Sequence, residues 1–310
     1  MNESDWLGRS AAFTAPECVG EASIRYFAVA LQDRNRLWVD DEYARSWGLE
    51  GRCAPPTFIC ETNQYMPGVQ DSEGYGGFSW AIPNLMDMQS IRVRHAYEFH
   101  RPLYPADVIT AEWRLDELRT KASAAYGEAV ELVSAIRYTN QAGVLLATHQ
   151  ETMYYVRPRP RTEKDDRPPS AQPPPSPVDA LTMRIGIADM AAYAGATWDW
   201  HRVHYDYRYA ERMGLPGPLI DGQMFGAIMA RHLTTWAGPA WDISAMQFRL
   251  RSMVFAGAEV VSRILDVDGG CELGADATTS HVTIDIADSH GRVAASGDAT
   301  LQRRQREERS

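Results

Sequence analysis

The chain repeats itself. "DRNRLWVDDEYARSWGLEG" at 33–51 aligns without a gap, at an offset of 166, on "DWHRVHYDYRYAERMGLPG" at 199–217. The identical pairs are Asp33/Asp199, Arg36/Arg202, Asp40/Asp206, Tyr43/Tyr209, Ala44/Ala210, Gly48/Gly214, Leu49/Leu215 and Gly51/Gly217. Two further echoes follow in the same order: "YPADVIT" at 104–110 with "FAGAEVV" at 255–261, and "NQAGVLLATHQETM" at 140–153 with "DSHGRVAASGDATL" at 288–301. Ordered self-similarity marks a duplicated unit. The fold must therefore be one that can be built twice and packed against itself.

The copies are separated by residues 157–178, "RPRPRTEKDDRPPSAQPPPSPV", which hold eight of the 18 prolines. This composition forms no core and favours an extended, semi-rigid path. The expected organisation is a unit at 1–156, the linker at 157–178, a second unit at 179–304 and a charged tail at 305–310. Both units share one grammar. Short helical pieces ("RYFAVALQ", "IADMAAYAGA") open each, the repeated loop and an apolar helix follow, and three or four strands close it. "HVTIDIAD" puts Val282, Ile284 and Ile286 on one face of a strand. "AVELVSAIRYTN" and "AGVLLATHQETMYYV" read as a hairpin turning near Gln141–Gly143. Helix first and antiparallel strands after is an α+β layout with a helix packed on a sheet.

The two central helices differ. "DGQMFGAIMARHLTTWAG" can run from about Asp221 to Trp236, with a glycine stop at Gly238. "APPTFICETNQYM" is expected to break at Pro67–Gly68, before a glycine-rich insertion. A broken helix over a sheet would leave room for a ligand or would serve only as a structural wall.

Chemistry concentrates in "ATWDWHRVHYD", Ala196 to Asp206. A turn could bring Asp199 and His204 together, and a carboxylate and an imidazole sharing a water are a competent acid/base pair. Gly222, at the start of the apolar helix, offers a backbone N–H that the helix leaves unpaired. Such a donor can stabilise an oxyanion, and a glycine would let a substrate carbonyl approach. Asp199, His201, His204 and Asp206 could also ligate a metal, but their spacing matches no common zinc pattern.

"YAGATWDWHRVHYDYRYAERMGLPGPLIDG" resembles the signature of the MaoC-like hot-dog hydratases, the (R)-specific enoyl-CoA hydratases and 3-hydroxyacyl-thioester dehydratases. The resemblance implies a double hot-dog fold, with an N-terminal domain of the degenerate type in "DRNRLWVDDEYARSWGLEGRCAPPTF" and "YEFHRPLYPADVITA". Each half would be a long central helix wrapped by an antiparallel sheet. It implies reversible hydration of a 2-enoyl-CoA, or dehydration of a (3R)-3-hydroxyacyl thioester. Asp199, His204 and Gly222 would be catalytic, with Tyr193, His201, Arg202 and Asp221 around them. It implies no metal, no cofactor beyond the CoA or carrier-protein thioester, and a homodimer or higher homo-oligomer. Arg202 and Arg249 are further candidates, for the CoA phosphates. The sequence departs from the family pattern at three places: His201 stands for its usual Asn, Arg202 for its Pro and Asp221 for its His. The dyad survives these changes, and His201 reads best as a hydrogen-bonding neighbour. A hot-dog thioesterase and a non-catalytic acyl-thioester-binding subunit are the rival readings.

In the first half Trp38 falls where His204 does, and Pro56, with no N–H, where Gly222 does. That half cannot run the same relay, and Asp33 and Asn35 are expected to make turns and structural hydrogen bonds. A net charge of −10 argues against nucleic acid. No run of 18 or more apolar residues argues for a membrane span, and "MNESDWLGRSAAFTAPE" shows no signal-peptide pattern. Four scattered cysteines read as free thiols in a reducing, cytoplasmic setting.

Overall fold

The computed structural model describes residues 5–68, 70–123, 127–157, 176–268, 270–274 and 276–304. Most of the Pro-rich linker and the charged tail lie outside them. The first half contributes β1 (Ser10–Thr14), α1 (Gly20–Ala30), α2 (Asp41–Ser46), α3 (Phe58–Glu61), β2 (Gln89–Phe99), β3 (Thr110–Ser123), β4 (Gly127–Thr139) and β5 (Leu145–Val156). The second contributes β6 (Asp179–Arg184), α4 (Ile187–Thr197), α5 (Tyr207–Arg212), α6 (Gly222–Ala237), β7 (Trp241–Leu250), β8 (Glu259–Val267), β9 (Thr279–Asp288) and β10 (Val293–Arg303). No described helix is long and apolar enough to cross a membrane.

All ten strands form one antiparallel sheet in the order β1-β3-β4-β5-β2-β7-β10-β9-β8-β6. The order is palindromic: β1 to β5 map onto β6 to β10. The halves meet where Arg94–Glu98 of β2 pair with Arg249–Ala245 of β7. This is a double hot-dog. The repeat survives in atomic detail. Arg36 pairs with Asp40 and Arg202 with Asp206, both at 2.6 Å. Asp40 and Asp206 then cap α2 and α5 by accepting from Tyr43 N and Tyr209 N. Identical local hydrogen bonding is why these loop residues match across the copies.

The expected hairpin turns at Gln141–Gly143, with Gly143 at φ 74°. Val282, Ile284 and Ile286 are buried in β9. The second central helix is α6, capped by the Asp221 carboxylate on Gln223 N and ended at Gly238. The short strands β1 and β6, which close the two sheet edges, carry too little apolar alternation to be seen in the sequence. All four cysteines are free thiols.

The first half corrects two expectations. It has no long central helix: α3 spans four residues and ends before Pro67. The chain turns extended at Thr62, and Asn63 N donates to Thr197 O at 2.7 Å, tying it to the end of α4. Phe78 packs on Phe13, Trp80 and Trp113 at ring-centroid distances of 5.2, 4.8 and 5.1 Å. Trp80 also donates to Ser134 Oγ at 3.0 Å. The glycine-rich insertion thus returns as aromatic core.

Candidate active site at the start of α6

Helix α4 ends on Trp198, whose left-handed backbone (φ 60°, ψ 29°) turns the chain sharply. Asp199 follows, 2% exposed, with its N–H held by Ala194 O. Its Oδ1 accepts from His201 N at 3.2 Å and its Oδ2 from Arg92 Nη1 at 3.3 Å. A 3-10 turn over Arg202–His204 then carries His204 back toward it.

His204 Nδ1 lies 2.8 Å from Leu219 O. A carbonyl only accepts, so Nδ1 carries the proton and neutral His204 keeps its lone pair on Nε2. Asp199, His204 and Asp221 each offer a polar atom within 4.8 Å of the others. One water at a hydrogen-bond length of about 2.8 Å reaches two such groups together. The three residues, with Met190, Tyr193, Ala194 and Met224, line a narrow cleft.

Gly222 is the first residue of α6, where the helix supplies no acceptor for its N–H. The sixteen-residue helix directs its positive dipole end there. A Cβ at this position would lie 2.2 Å from Leu250 Cδ1, so a side chain here would have to displace the end of the partly exposed Leu250.

The other candidates separate. His201 uses Nδ1 to accept from Val203 N at 3.2 Å, capping the 3-10 turn as Asn35 caps its counterpart through Leu37 N. Burial, then the neighbouring His204, pulls its pKa below the ordinary value. Tyr193 is fully buried and donates its hydroxyl to Glu61 Oε2 at 2.7 Å. Burial pushes that carboxyl well above the usual range, against the opposing pull of the Tyr193 hydrogen bond. Arg202 is engaged with Asp206 and lies over the Tyr209 ring. Arg249 is exposed on β7, whereas Phe248 packs on Gly226 of α6 and Leu250 on Gly222. Strand alternation therefore turns Arg249 to the opposite face, away from the dyad.

Of the four metal-ligand candidates, Asp199 and His204 come together. His201 and Asp206 are committed to local caps and Asp221 takes the third place. Two carboxylates and an imidazole could hold a divalent cation. Sequence reasoning missed Arg92, Glu151 and Tyr75, which reach the dyad from the first half. Arg92 Nε donates to Glu151 Oε1 at 3.0 Å and its Nη2 to the Tyr75 hydroxyl at 2.9 Å. No local signal marks an arginine whose partners are distant in sequence.

A family model for "Hydroxyacyl-thioester dehydratase type 2" matches residues 92–256, more than half of the chain. The chain belongs to this family. A second model, "FAS1-like, dehydratase domain region", matches residues 6–149. A "Probable enoyl-CoA hydratase alpha subunit" of Thermomonospora curvata is 24% identical over 178 residues, which span 55% of this chain and 56% of that relative. A "UPF0336 protein" of Thermobifida fusca is 32% identical over 49% of this chain and 92% of its own length. A MaoC-like dehydratase from Phytophthora capsici superposes with a TM-score of 0.69 at 16% identity, covering 99% of this chain and 100% of its own. A double hotdog protein of Mycobacterium tuberculosis gives a TM-score of 0.63 at 12% identity, covering 96% of each chain. These structures establish the fold of this dehydratase-family chain.

Proposed function

We propose that this dehydratase-family protein reversibly adds water across the double bond of a 2-enoyl thioester at Asp199 and His204. The observation that carries the reading is the convergence of Asp199, His204 and Asp221 on one pocket beside the N-terminus of α6. In hydration the pair holds the water. One O–H bond of the water breaks as its oxygen bonds C3, and a proton is delivered to C2. The Gly222 N–H binds the thioester oxygen while enolate charge develops. Dehydration of the (3R)-3-hydroxyacyl thioester is the same path reversed. Proton transfer and oxyanion binding account for every step, so the reaction needs no further cofactor. The nearby Asp221 carboxylate is a third group for orienting the water.

The cleft between these residues is narrow and has no open cavity of the size of common ligand sites, about 300–1,000 Å³. Its wall holds two adaptable methionines, Met190 and Met224. Any acyl group requires those side chains to move, and shorter ones require less.

The test is a panel of enoyl-CoAs, from crotonyl to long-chain, branched and dicarboxylic members, followed by loss of the conjugated enoyl-thioester absorbance. Hydration of short members is expected. Release of free CoA would replace this reading with a thioesterase. Binding without turnover would replace it with an acyl-thioester-binding subunit.

A further inference from the structure

We propose that Arg92, supplied by the first half, is the positioning residue of Asp199, so that the degenerate half completes the active site; this rests on the hydratase reading above. The second half fixes only one carboxylate oxygen of Asp199, through His201 N on Oδ1. The other, Oδ2, is held at 3.3 Å by Arg92 of β2. Arg92 is itself clamped, with Nε on Glu151 Oε1 at 3.0 Å and Nη2 on the Tyr75 hydroxyl at 2.9 Å.

A second observation shows that the arginine is aimed. Residues two apart on a strand face the same way. Arg94 donates across the surface to Gln247 Oε1 and is a register partner of the exposed Arg249. Regular pairing would send Arg92 to that same face. The β2–β5 register instead shifts between Arg92 and Arg94: Arg94 opposes Thr152 and Arg92 opposes Met153, with Val93 extra. This bulge turns Arg92 inward, beside the buried Glu151. Bulges re-aim side chains in this way near active sites.

The repeat supplies an internal control. The offset of 151 that aligns Tyr104 with Phe255 places Arg92 on Ile243. The β7–β10 pairing carries the matching bulge, with Ala245 opposite Thr300 and Ile243 opposite Leu301. Both halves thus turn a side chain inward at the same point. In the second half it is Ile243, 3% exposed and apolar; in the first it is an arginine against Asp199. The charge occurs only on the side that faces the complete dyad.

A carboxylate must be correctly turned to share the reacting water. A guanidinium fork holds it so, through directional N–H groups. The charged or titratable groups around Arg92 are Asp199 on the dyad loop, Glu151 on β5, Tyr75 on the insertion and Asp221 at the start of α6. His201, His149, His95, Tyr65 and Tyr155 also feel its charge.

The test is steady-state hydration of an enoyl-CoA that the wild type turns over, with thermal unfolding as the fold control. Arg92→Met alone would leave Glu151 as a buried unpaired carboxylate, so it is combined with Glu151→Gln. The double variant is expected to fold and to lose on the order of 100-fold in kcat with KM within a few-fold. Arg92→Lys, which keeps a cationic donor against Asp199, is expected to recover part of kcat. A folded double variant with near-normal kcat would make Arg92 a structural bolt and overturn the inference. So would Arg92→Lys and the double variant losing equal activity. Wild type that hydrates no member of the panel would instead defeat the underlying hydratase reading.

Discussion

Trp38 donates its indole N–H to Asp33 Oδ2 at 2.8 Å, in the same frame that sets His204 beside Asp199 in the other half. The indole has no lone pair to lend and cannot act as a base. Asp33 also accepts from Asn35 N at 2.9 Å, as Asp199 does from His201 N. The missing imidazole leads us to expect one active site per chain. Titration with a tight-binding acyl-CoA analogue is expected to saturate at one equivalent per chain, and two equivalent sites would contradict this account of the first half.

Asp199→Asn and His204→Ala are each expected to lower kcat by about 10²–10⁴-fold, the usual contribution of one proton-transfer group. Asp199→Asn keeps the volume and the Oδ1 acceptor for His201 N, so unfolding is expected to stay cooperative. Circular dichroism and thermal melts check the fold. Near-normal kcat in either variant on an active substrate would remove the dyad from the mechanism.

The legibility of this chain follows the range of the interactions involved. Gly222, Asp221, His204 and Asp199 belong to one continuous segment whose caps and turns are local, and the same local bonds recur around Arg36 and Asp40. Such features are written in consecutive residues. The duplication was legible for the same reason, since a repeat needs no long-range information to be seen, while its hot-dog form came from the family resemblance of the Tyr193–Gly222 segment. Arg92 was not, because its meaning lies in a one-residue bulge against β5 and in a partner 107 positions away. The shortness of α3 was also hidden: the chain leaves the helix for a hydrogen bond to Thr197 O, not for the proline that the sequence displays.

Asp199, His204 and Asp221 also form a donor set that a divalent cation could use. Arg92 already places a positive charge against Asp199, which disfavours a second cation at the same carboxylate. Dialysis against a chelator is expected to leave hydration unchanged, and elemental analysis to find no stoichiometric metal. Activity lost on chelation and regained with one divalent ion would transfer the water-activating role to a metal.

Gly222→Ala separates the two uses of this glycine. The backbone N–H survives the change, while the new methyl meets Leu250 Cδ1. Overpacking of this kind costs about 1–3 kcal/mol. The melting temperature is expected to fall, and Leu250→Ala in the same chain to recover part of it by opening the space. Stability unchanged in Gly222→Ala, with only KM raised, would mean that substrate, not Leu250, occupies that side of the glycine.

His95 and His149 make a buried pair at the seam between the halves, with Nδ1 of one 3.0 Å from Nε2 of the other. His95 also stacks on Phe248 of β7. Only one nitrogen of the contact can carry the shared proton, and protonating the acceptor would set N–H against N–H. Burial, then the Arg92 charge, pulls His149 down to about 3, and burial pulls His95 well below its ordinary value. The folded form is therefore the neutral one, whereas the unfolded imidazoles titrate near about 6.5. Above that pH neither state binds the extra proton and this contribution is flat. Below it the unfolded chain gains protons that the folded chain refuses, so stability falls as pH drops toward 3, by up to about 1.4 kcal/mol per pH unit for each histidine. Glu61 titrates with its own slope in the acid range, so the comparison is made between two proteins that both contain it. The difference in melting temperature between pH 7.5 and pH 5.5 is expected to be smaller in His149→Gln than in wild type, because one refused proton is gone. An equal or larger acid loss in the variant would mean that the histidine pair does not set the acid limit of this fold.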